Sequence, residues 1–405
     1  MPTMGSSNGL VLLILLVLTI SLTLVADASQ KRREIPSEEE MIDLKRQLKA
    51  INKPALKSFK TEHGYIFDCI EMEKQLAFDH PLLKNHSIQL KPTSIPKWTS
   101  DNTTSKRSSS SLPFGQDDIT CPLGTVIVKR TTLEELIPLQ RLKSVGFFYP
   151  SSKNKNADST NHFAAATYKR DTYGALGNIN VWEPHVSSDQ FSYASISVAR
   201  GSGNQLQSIS AGWIVYELLN KKHSVLFTYW TTDGFQKTGC YNTLCPGFVQ
   251  VSRKFALGAL AKPVSTYNGQ QYHLEVGLYQ DSVTGDWWFL IKDERIGYLP
   301  RSLFNDEGLA NGASIVFWGG EVFSSVKEKS PSMGSGHFPF EGYKKAAYVN
   351  GLKVIDHQLA KVIIPPPTSI QLLADSPHCY DAEKEIGKGD WSRAIFFGGP
   401  GGCTF

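Results

Sequence analysis

The sequence predicts an all-β fold, an antiparallel β-sandwich of two stacked, jelly-roll-like sheets, preceded by a small N-terminal propeptide region with one helix. From about residue 160 onward, short aromatic and β-branched runs alternate with Gly, Pro, Asn and Asp, a spacing typical of antiparallel strands in sandwiches and barrels. No helical period of useful length competes with these runs. We expect the sandwich to occupy residues 156–405.

The first 28 residues predict secretion. Residues 10–25 form an apolar run diluted only by Thr and Ser, and Ala26-Asp27-Ala28 follows it as an A-x-A cleavage site. The alternative is a membrane anchor, but a run of about 16 residues is short for a span and no stop-transfer charges follow it. We therefore expect residues 1–28 to be a signal peptide, an extracellular, cell-wall or vacuolar destination, and no membrane partner after cleavage.

Residues 29–155 are interpreted as an activation peptide and a linker. In "SEEEMIDLKRQLKAI" the apolar residues recur at helical spacing, and Glu40 stands three positions after Ser37, which predicts a helix with a capping box. The stretch "TSDNTTSKRSSSSLPFGQDD" has no core-forming run and predicts a linker, in which Lys106-Arg107 is a candidate processing site. We place the maturation point between Lys106 and about Lys155.

The covalent chemistry is that expected of a secreted chain. Sequons at Asn85 and Asn102 predict N-glycosylation before or within the linker. Six cysteines, an even number, favour disulfides. Two of them are close enough in sequence to pair locally, two bracket the C-terminal segment, and two remain as a possible third pair: Cys240 and Cys245, Cys379 and Cys403, and Cys69 and Cys121.

Composition argues against several other functions. The chain has 42 Lys and Arg against 38 Asp and Glu, a net charge of +4, which gives no reason to expect a nucleic-acid partner. A zinc site is a weak alternative for the cysteines, because no CxxC pair stands beside a second pair or a His cluster. We expect no metal, no cofactor and a monomeric protein.

Individual strands can be recognised by their alternation. "QLQSISAGWIVYE" alternates small polar and apolar side chains and predicts a strand through Ser210. "QDSVTGDWWFLI" predicts a hairpin in which Thr284-Gly285-Asp286 forms the turn. Both patterns fit a sandwich whose strands each carry one face towards the core.

Two motifs suggest a functional site. In "IVFWGGEVF" a carboxylate, Glu321, interrupts an apolar strand, which means either an edge position or a retained function, since desolvation raises the pKa of an unpartnered acid. The preceding Gly319-Gly320 favours function, because glycines let another backbone or a peptide ligand come close. "MGSGHFPFEG" offers His337 and Glu341 either as a substrate-binding rim or as parts of a structured loop.

Several ordered motifs together resemble the plant neprosin family, from about Phe67 to the C-terminus. They are "DCIEMEKQLAFDHPLLKNHSIQ", "GNINVWEPHV", "TYWTTDGFQKTGCYNTLCPGFVQVS", "DSVTGDWWFLI", "WGGEVF", "MGSGHFPFEGYKKAAYV" and "GGPGGC". The resemblance implies a signal peptide, an activation peptide, a two-sheet sandwich with a cleft, and prolyl endopeptidase activity that uses two glutamates at acidic pH. It also implies the Cys240–Cys245 and Cys379–Cys403 disulfides and a peptide or protein substrate, with proline-rich sequences as candidates.

The family pattern fits one of the two catalytic positions. Glu321 in "WGGEV" matches one family glutamate, whereas "SISAGW" places Ser210 where the family pattern resembles "SIEAGW". A serine hydroxyl cannot exchange a proton at acidic pH as a carboxyl does. The resemblance also puts Ser195 and Ser197 where larger Gln and Trp side chains are usual, and we take Trp213, Trp318, His337 and Glu341 as substrate-binding candidates.

Two neighbouring acids are candidates to replace the missing carboxyl. Glu217 lies seven residues after Ser210, an odd offset that points it to the opposite face of an uninterrupted strand. Glu275 shares a polar face with His273, and that face is either the cleft or solvent. The sequence therefore predicts a neprosin-type protein with an incomplete pair of glutamates, which is either a peptidase or an inactive peptide- or cell-wall-polymer-binding module.

Overall fold

The computed structural model describes residues 36–93, 110–111, 119–137, 159–187, 189–326, 328–358 and 361–404. The chain forms two compact units, residues 1–49 and 50–405. The predicted signal peptide, Asn102 and Lys106-Arg107 lie outside the described residues. No helix in the described part of the chain is long and apolar enough to cross a membrane.

The predicted helix, α1, spans Glu38–Ile51, and its capping box is formed. The Ser37 amide donates to Glu40 Oε2 at 2.7 Å and the Glu40 amide donates to Ser37 Oγ at 3.2 Å, so two of the amides left unbonded at a helix start are satisfied. Three acidic residues in the first turn also suit the positive end of the helix dipole.

A small antiparallel sheet follows α1, with strand order β1-β2-β4. Its strands, numbered in chain order like all others here, are β1 (Ala55–Lys60), β2 (Ile66–Glu71) and β4 (Thr125–Lys129). Cys69 on β2 is bonded to Cys121, just before β4. Phe67 and Ile127 of this sheet share a hydrophobic cluster with Ala256 and Ala259, which belong to the later part of the chain.

In the described chain, seven strands form one sheet of the sandwich in the order β10-β9-β8-β7-β15-β5-β18. In chain order they are β5 (Ser159–Tyr168), β7 (Phe191–Arg200), β8 (Gln207–Tyr216), β9 (Ser224–Thr231), β10 (Cys240–Tyr241), β15 (Ile315–Ser325) and β18 (Ile370–Ala374). All of their pairings are antiparallel. A short helix, α2 (Glu217–Asn220), follows β8.

The second sheet contains ten described strands along the path β11-β14-β13-β12-β6-β16-β20-β19, with β17 beside β16 and β3 beside β12. These strands are β3 (Ser110–Ser111), β6 (Thr172–Asn180), β11 (Val249–Gln250), β12 (Tyr272–Gln280), β13 (Trp287–Ile291), β14 (Glu294–Leu299), β16 (Ala347–Asp356), β17 (Val362–Ile363), β19 (Asp381–Glu385) and β20 (Ala394–Gly398). The predicted hairpin joins β12 to β13, and Gly285 takes φ +76° in its turn.

The main core lies between the two sheets. Alternate residues of the central strands face inwards, among them Ile196, Trp213 and Trp318 from one sheet and Val276 and Phe289 from the other. Strands β7, β8 and β9 are buried along almost their whole length, on both faces. Their second face is covered by an aromatic cluster that includes Phe191, Tyr216, Phe227, Tyr229, Tyr241 and Phe323.

Part of the outer face of the ten-stranded sheet is covered by residues 72–93, which we call the N-terminal layer. It contains three short 3₁₀ helices: Met72–Lys74, Leu76–Asp79 and Pro81–Leu83. Ala77 packs with Tyr279, Trp288 and Tyr298, all of which are buried. The segment interpreted as propeptide thus contributes to the packing of the sandwich itself.

All six cysteines are paired: Cys69–Cys121, Cys240–Cys245 and Cys379–Cys403. The last two are the pairs that the family resemblance implied, and the first is the pair that the sequence left open. The third bridge fixes the C-terminal segment, which also returns to the body through the Ser330 amide bonded to the Cys403 carbonyl at 2.7 Å. The glycosylation candidate Asn85 is exposed. Disulfides of this kind are consistent with an oxidising compartment.

Candidate active site

Glu321 lies on β15, an inner strand of the seven-stranded sheet, and faces away from the inter-sheet core. It is opposite Phe163 on β5 and Tyr193 on β7. A cavity of about 70 Å³ opens beside it. Its lining combines aromatic and aliphatic walls, three serines and one carboxyl group: Phe163, Ala165, Tyr193, Ser195, Ser197, Ser210, Phe317, Gly319, Gly320, Glu321 and Leu373.

Two side-chain donors hold the Glu321 carboxyl group. Asn161 Nδ2 donates to Oε1 at 2.6 Å, and the Tyr193 hydroxyl donates to Oε2. Glu321 is only 3% exposed, and this burial raises its pKa to about 8, although the two donors act in the opposite direction. The nearby Asp375 carboxylate adds a smaller upward shift of the pKa. Glu321 is therefore protonated in acidic and neutral solution.

Asp375, close to this site, forms hydrogen bonds to β5. Its carboxylate accepts the Phe163 amide at 2.9 Å and contacts His162 Nδ1 at 3.1 Å. It follows directly after β18, the strand that pairs with β5, so it continues the bonding of β5 where the edge strand ends. Asp375 does not line the cavity.

The opposite end of the cavity is formed by three hydrogen-bonded serines, which we call the serine row. Ser195 and Ser197 have their hydroxyl oxygens 3.1 Å apart, and Ser197 Oγ donates to Ser210 Oγ at 2.7 Å. All three side chains are buried. Ser210 thus faces the cavity, as predicted, and its hydroxyl is engaged with another protein hydroxyl.

The strand register fixes the separation of Ser210 and Glu321. Ser210 lies opposite Ser197, and Glu321 lies opposite Tyr193, which is four residues away on the same strand, β7. In a flat sheet the two residues would be separated by two strand spacings, about 10 Å, across the sheet and by four residues, about 13 Å, along the strands. The two side chains therefore share a cavity without touching, and any group that contacts both must bridge the space between them.

The glycines next to Glu321 serve the packing of the sheet. A Cβ atom on Gly319 would lie 2.3 Å from the Ala164 carbonyl oxygen, and Gly319 has φ +153°. A Cβ on Gly320 would lie 2.7 Å from the Phe397 ring and 2.9 Å from Met333. The close approach of another backbone that the sequence suggested is that of β5 at Gly319, and both glycines also line the cavity, so the approach of a peptide ligand stays a prediction.

The predicted substrate-binding residues are distributed over different parts of the molecule. Trp213 and Trp318 are fully buried between the sheets, where their indoles donate to the carbonyls of Asn180 at 2.9 Å and Leu176 at 3.1 Å. They support the strands that carry the cavity and do not line it.

His337 and Glu341, the two candidates from the Gly-rich loop, are bonded to each other. His337 Nδ1 contacts Glu341 Oε1 at 2.8 Å, and Glu341 Oε2 accepts the Tyr267 hydroxyl at 2.9 Å. Neither His337 nor Glu341 lines the cavity. Their bonds to each other and to Tyr267 hold this loop together.

The two acids considered as substitutes lie away from the cavity as well. Glu217 begins α2 after β8 has ended and pairs with Lys222 at 3.3 Å. Glu275 lies on β12 of the other sheet, 3.9 Å from His273. Within the described part of the chain, no three His, Cys, Asp or Glu side chains cluster closely enough to hold a metal ion.

Sequence reasoning missed Asn161 and Tyr193, the two residues that bind Glu321. They stand on β5 and β7, far from Glu321 in sequence, and reach it because both strands flank β15. The apolar wall formed by Phe163, Phe317 and Leu373 was missed for the same reason. A polar residue within an apolar run, such as Tyr193 in "FSYASISVA", is the signal that points to such positions.

The fold and the cavity define a two-sheet β-sandwich protein with a buried carboxyl group on the outer face of one sheet. The chain belongs to the neprosin family, because the neprosin family model matches residues 188–400, more than half of its length, and the neprosin activation peptide model matches residues 58–172. It thus combines a neprosin domain with a neprosin activation peptide.

Solved structures of a glutamic peptidase are also similar to this chain. A crystal structure of scytalido-glutamic peptidase with a peptide-based transition state analog is 9% identical, with a TM-score of 0.29. A second one, with a transition state analog inhibitor, is 9% identical, with a TM-score of 0.33. Each match covers 59% of this chain and 98% of the other.

Proposed function

We propose that this chain is a secreted neprosin-family protein, made with an activation peptide, that binds peptides at the Glu321 cavity and has lost most or all peptidase activity. The observation that carries the proposal is the presence of Ser210 at the second family position. Among the described residues that line the cavity, Glu321 supplies the single carboxyl group.

Peptide hydrolysis at such a site requires two proton transfers. Water forms a C–O bond with the scissile carbonyl carbon and gives up a proton, and the C–N bond breaks as the leaving nitrogen gains one. Two carboxyl groups perform this when one is ionised and the other protonated. With its pKa raised to about 8, Glu321 donates a proton in acidic solution but does not accept one from water.

The serine row does not supply the missing base. A hydroxyl has no accessible ionised form at acidic pH. The Ser210 hydroxyl also receives the Ser197 proton at 2.7 Å, which uses one of its acceptor positions within the protein. A water held at Ser210 would still need a group that takes up its proton.

The composition of the cavity favours a neutral ligand. Its wall of Phe163, Phe317 and Leu373 suits apolar parts of a peptide, and the serine hydroxyls suit its backbone carbonyls and amides. A protonated Glu321 adds no charge in acidic solution. Proline-rich peptides are the first candidates because of the family, and a cell-wall polysaccharide is the alternative ligand.

The maturation point is proposed between residues 106 and 155. The activation peptide model extends to residue 172, but a cut after β5 would remove an inner strand of the seven-stranded sheet. β5 pairs with β15 over ten residue pairs and supplies Asn161 and Phe163 to the site. A cut before residue 159 keeps β5 in the sandwich.

The decisive experiment compares the protein without residues 1–28 with its Ser210→Glu variant, using a proline-containing peptide in acidic buffer. We expect the wild type to show little or no cleavage and Ser210→Glu to cleave at least about 100-fold faster than the wild type, the usual contribution of a positioned acid or base. A triple variant, Ser195→Gln with Ser197→Trp and Ser210→Glu, also restores the bulk that the family carries.

The control is Glu321→Gln in each background. Robust wild-type turnover that disappears in Glu321→Gln would overturn the proposal and make this chain an active peptidase. The binding role has a separate readout, retention of the wild type on immobilised proline-rich peptide or on cell-wall polysaccharide. Retention that Glu321→Gln does not weaken would locate ligand binding elsewhere on the protein.

A further inference from the structure

The N-terminal layer is built into the sandwich on the face opposite the cavity. Ala77 and Leu83 are buried to 2% and 1% exposure, and Leu83 belongs to the main core cluster. The cavity opens on the outer face of the seven-stranded sheet, whereas this layer covers part of the outer face of the ten-stranded sheet. None of the described activation-peptide residues before β5 lines the cavity.

Directional bonds fix the layer along its length. The Gln75 side chain substitutes for a neighbouring strand, since the Gln250 amide donates to its Oε1 at 2.7 Å and its Nε2 donates to the Gln250 carbonyl at 3.2 Å. Further along, the Tyr298 hydroxyl meets His86 Nε2 at 2.8 Å and the Gln89 amide at 2.9 Å.

The end of the layer is bound by a carboxylate. The Thr93 amide and hydroxyl both donate to Asp281, each at 2.5 Å. Burial acts to raise the pKa of Asp281, but these bonds and two backbone amides lower it, so Asp281 is ionised in the folded protein. Hydrogen bonds to a charged acceptor are stronger than neutral ones.

Loss of the layer would expose a large aromatic surface. Tyr279, Trp288 and Tyr298 are at most 1% exposed, and they share one cluster with Ala77. Soluble monomers rarely display contiguous apolar patches of that kind. The physical cost of uncovering them favours retention of the layer whatever happens to the chain beyond residue 93.

A covalent bond and a strand ladder also connect the two sides of the linker. Cys69 and Cys121 are 52 residues apart in sequence and bonded to each other, and β2 pairs with β4 over five residue pairs. A cut between these cysteines, for example in residues 99–118, opens the chain but leaves both sides joined. The β4 side is itself bound to the sandwich, since the Ile127 amide donates to the Ser252 carbonyl at 3.2 Å.

We propose that the outer face of the ten-stranded sheet is a lasting docking surface for the chain's own N-terminal layer. Cleavage of the linker then yields a disulfide-linked, two-chain protein in which this segment remains bound, and not a free sandwich. This inference does not depend on whether the cavity cleaves peptides.

The test replaces residues 103–109 with the recognition site of a sequence-specific protease and cuts the purified protein without residues 1–28. A second variant of this protein adds Cys69→Ser and Cys121→Ser, so that only non-covalent contacts hold the pieces. We expect both cut proteins to elute as one species in size-exclusion chromatography at micromolar concentration, and to give two bands on a reducing denaturing gel. Elution of a separate N-terminal fragment from the cut Cys-free protein would overturn the proposal.

Two adjacent leucines give a matched control. Leu83 is 1% exposed and Leu82 is 60% exposed. In the cut Cys-free background we expect Leu83→Asp to release the fragment and Leu82→Asp to retain it, and equal behaviour of the two variants would contradict this docking surface.

If the Cys-free protein does not fold, the disulfide-linked cut protein provides the readout. We expect no increase in binding of a fluorescent apolar dye after cleavage, and unchanged amide exchange in β2 and β4. A several-fold dye signal, or loss of protection in these strands, would mean that the layer detaches and would overturn the proposal.

Discussion

At the scale of single residues, the burial of Glu321 couples its proton to folding. Its pKa is raised from an ordinary glutamate value to about 8 in the folded protein. The folded state thus holds this proton over a pH range in which the unfolded chain has released it. The contribution to stability is complete below about pH 4.5 and decreases as the pH rises towards 8.

The first prediction follows from the upward direction of this pKa shift. Wild-type stability should contain a component that falls by about 1 kcal/mol per pH unit between pH 5 and 8, and Glu321→Gln should lack it, because Gln does not titrate. Urea unfolding of both proteins at pH 5, 6, 7 and 8 measures the difference.

Glu341→Gln is the matched control for this titration. Burial acts to raise the pKa of Glu341, but its bonds from Tyr267 and His337 lower it overall. Its contribution is therefore present above the ordinary glutamate pKa and is lost only as the pH falls, so the variant should match the wild-type slope between pH 5 and 8. A wild-type slope that persists in Glu321→Gln would contradict the assignment to Glu321.

At the scale of elements, the strands beside the site leave little room for change. β7 and β8 are buried on both faces, and they approach closely at Gly212. A Cβ atom there would lie 2.0 Å from the Ala194 carbonyl oxygen and 2.8 Å from Ser195 Cα. Both are backbone atoms, so no side-chain rotation can relieve the contact, and the strand next to the serine row would have to move.

The second prediction compares two glycine substitutions. Gly212→Ala should lower the free energy of unfolding by about 3 kcal/mol, the cost of forced overpacking. Gly124→Ala meets no atom within 4 Å but keeps φ +78°, so it should cost about 1 kcal/mol from backbone strain alone. Denaturant midpoints measure both changes, and equal losses would show that packing at Gly212 is not the determinant.

At the scale of the whole molecule, three disulfides close loops of very different length. The bonded cysteines are 52, 24 and 5 residues apart for Cys69–Cys121, Cys379–Cys403 and Cys240–Cys245. In the chain-entropy account, a longer closed loop restricts the unfolded chain more strongly. The Cys69–Cys121 bridge joins two parts of the N-terminal segment, and the Cys379–Cys403 bridge fixes the C-terminal segment.

The third prediction ranks these bridges. Replacement of each pair by serines should cost about 4, 3 and 2 kcal/mol in the order of decreasing loop length. Thermal unfolding of the three double variants gives the ranking directly. A larger loss from Cys240–Cys245 than from Cys69–Cys121 would mean that native contacts outweigh the loop entropy.

Much of the fold was predictable because its signals are local. The capping box of α1, the β12–β13 hairpin and the strand through Ser210 each depend on residues within about a dozen positions of one another. The alternation of small polar and apolar residues predicted the strand β8 correctly, but it suggested that only one face of the strand is buried, whereas both faces are. That second covering comes from an aromatic cluster assembled from distant strands, which no local pattern reveals.

The sequence by itself determined the family and the antiparallel sandwich, and its resemblance to that family implied two of the cysteine pairs and made Ser210 a candidate site position. Only the tertiary structure decided what surrounds Glu321, which of the predicted site residues do not line the cavity, and where the N-terminal layer lies. The physical reason is that strand order brings together Asn161, Tyr193 and Glu321 from three separate strands. Burial and hydrogen bonding then set the protonation of Glu321, and both exist only once those strands are paired.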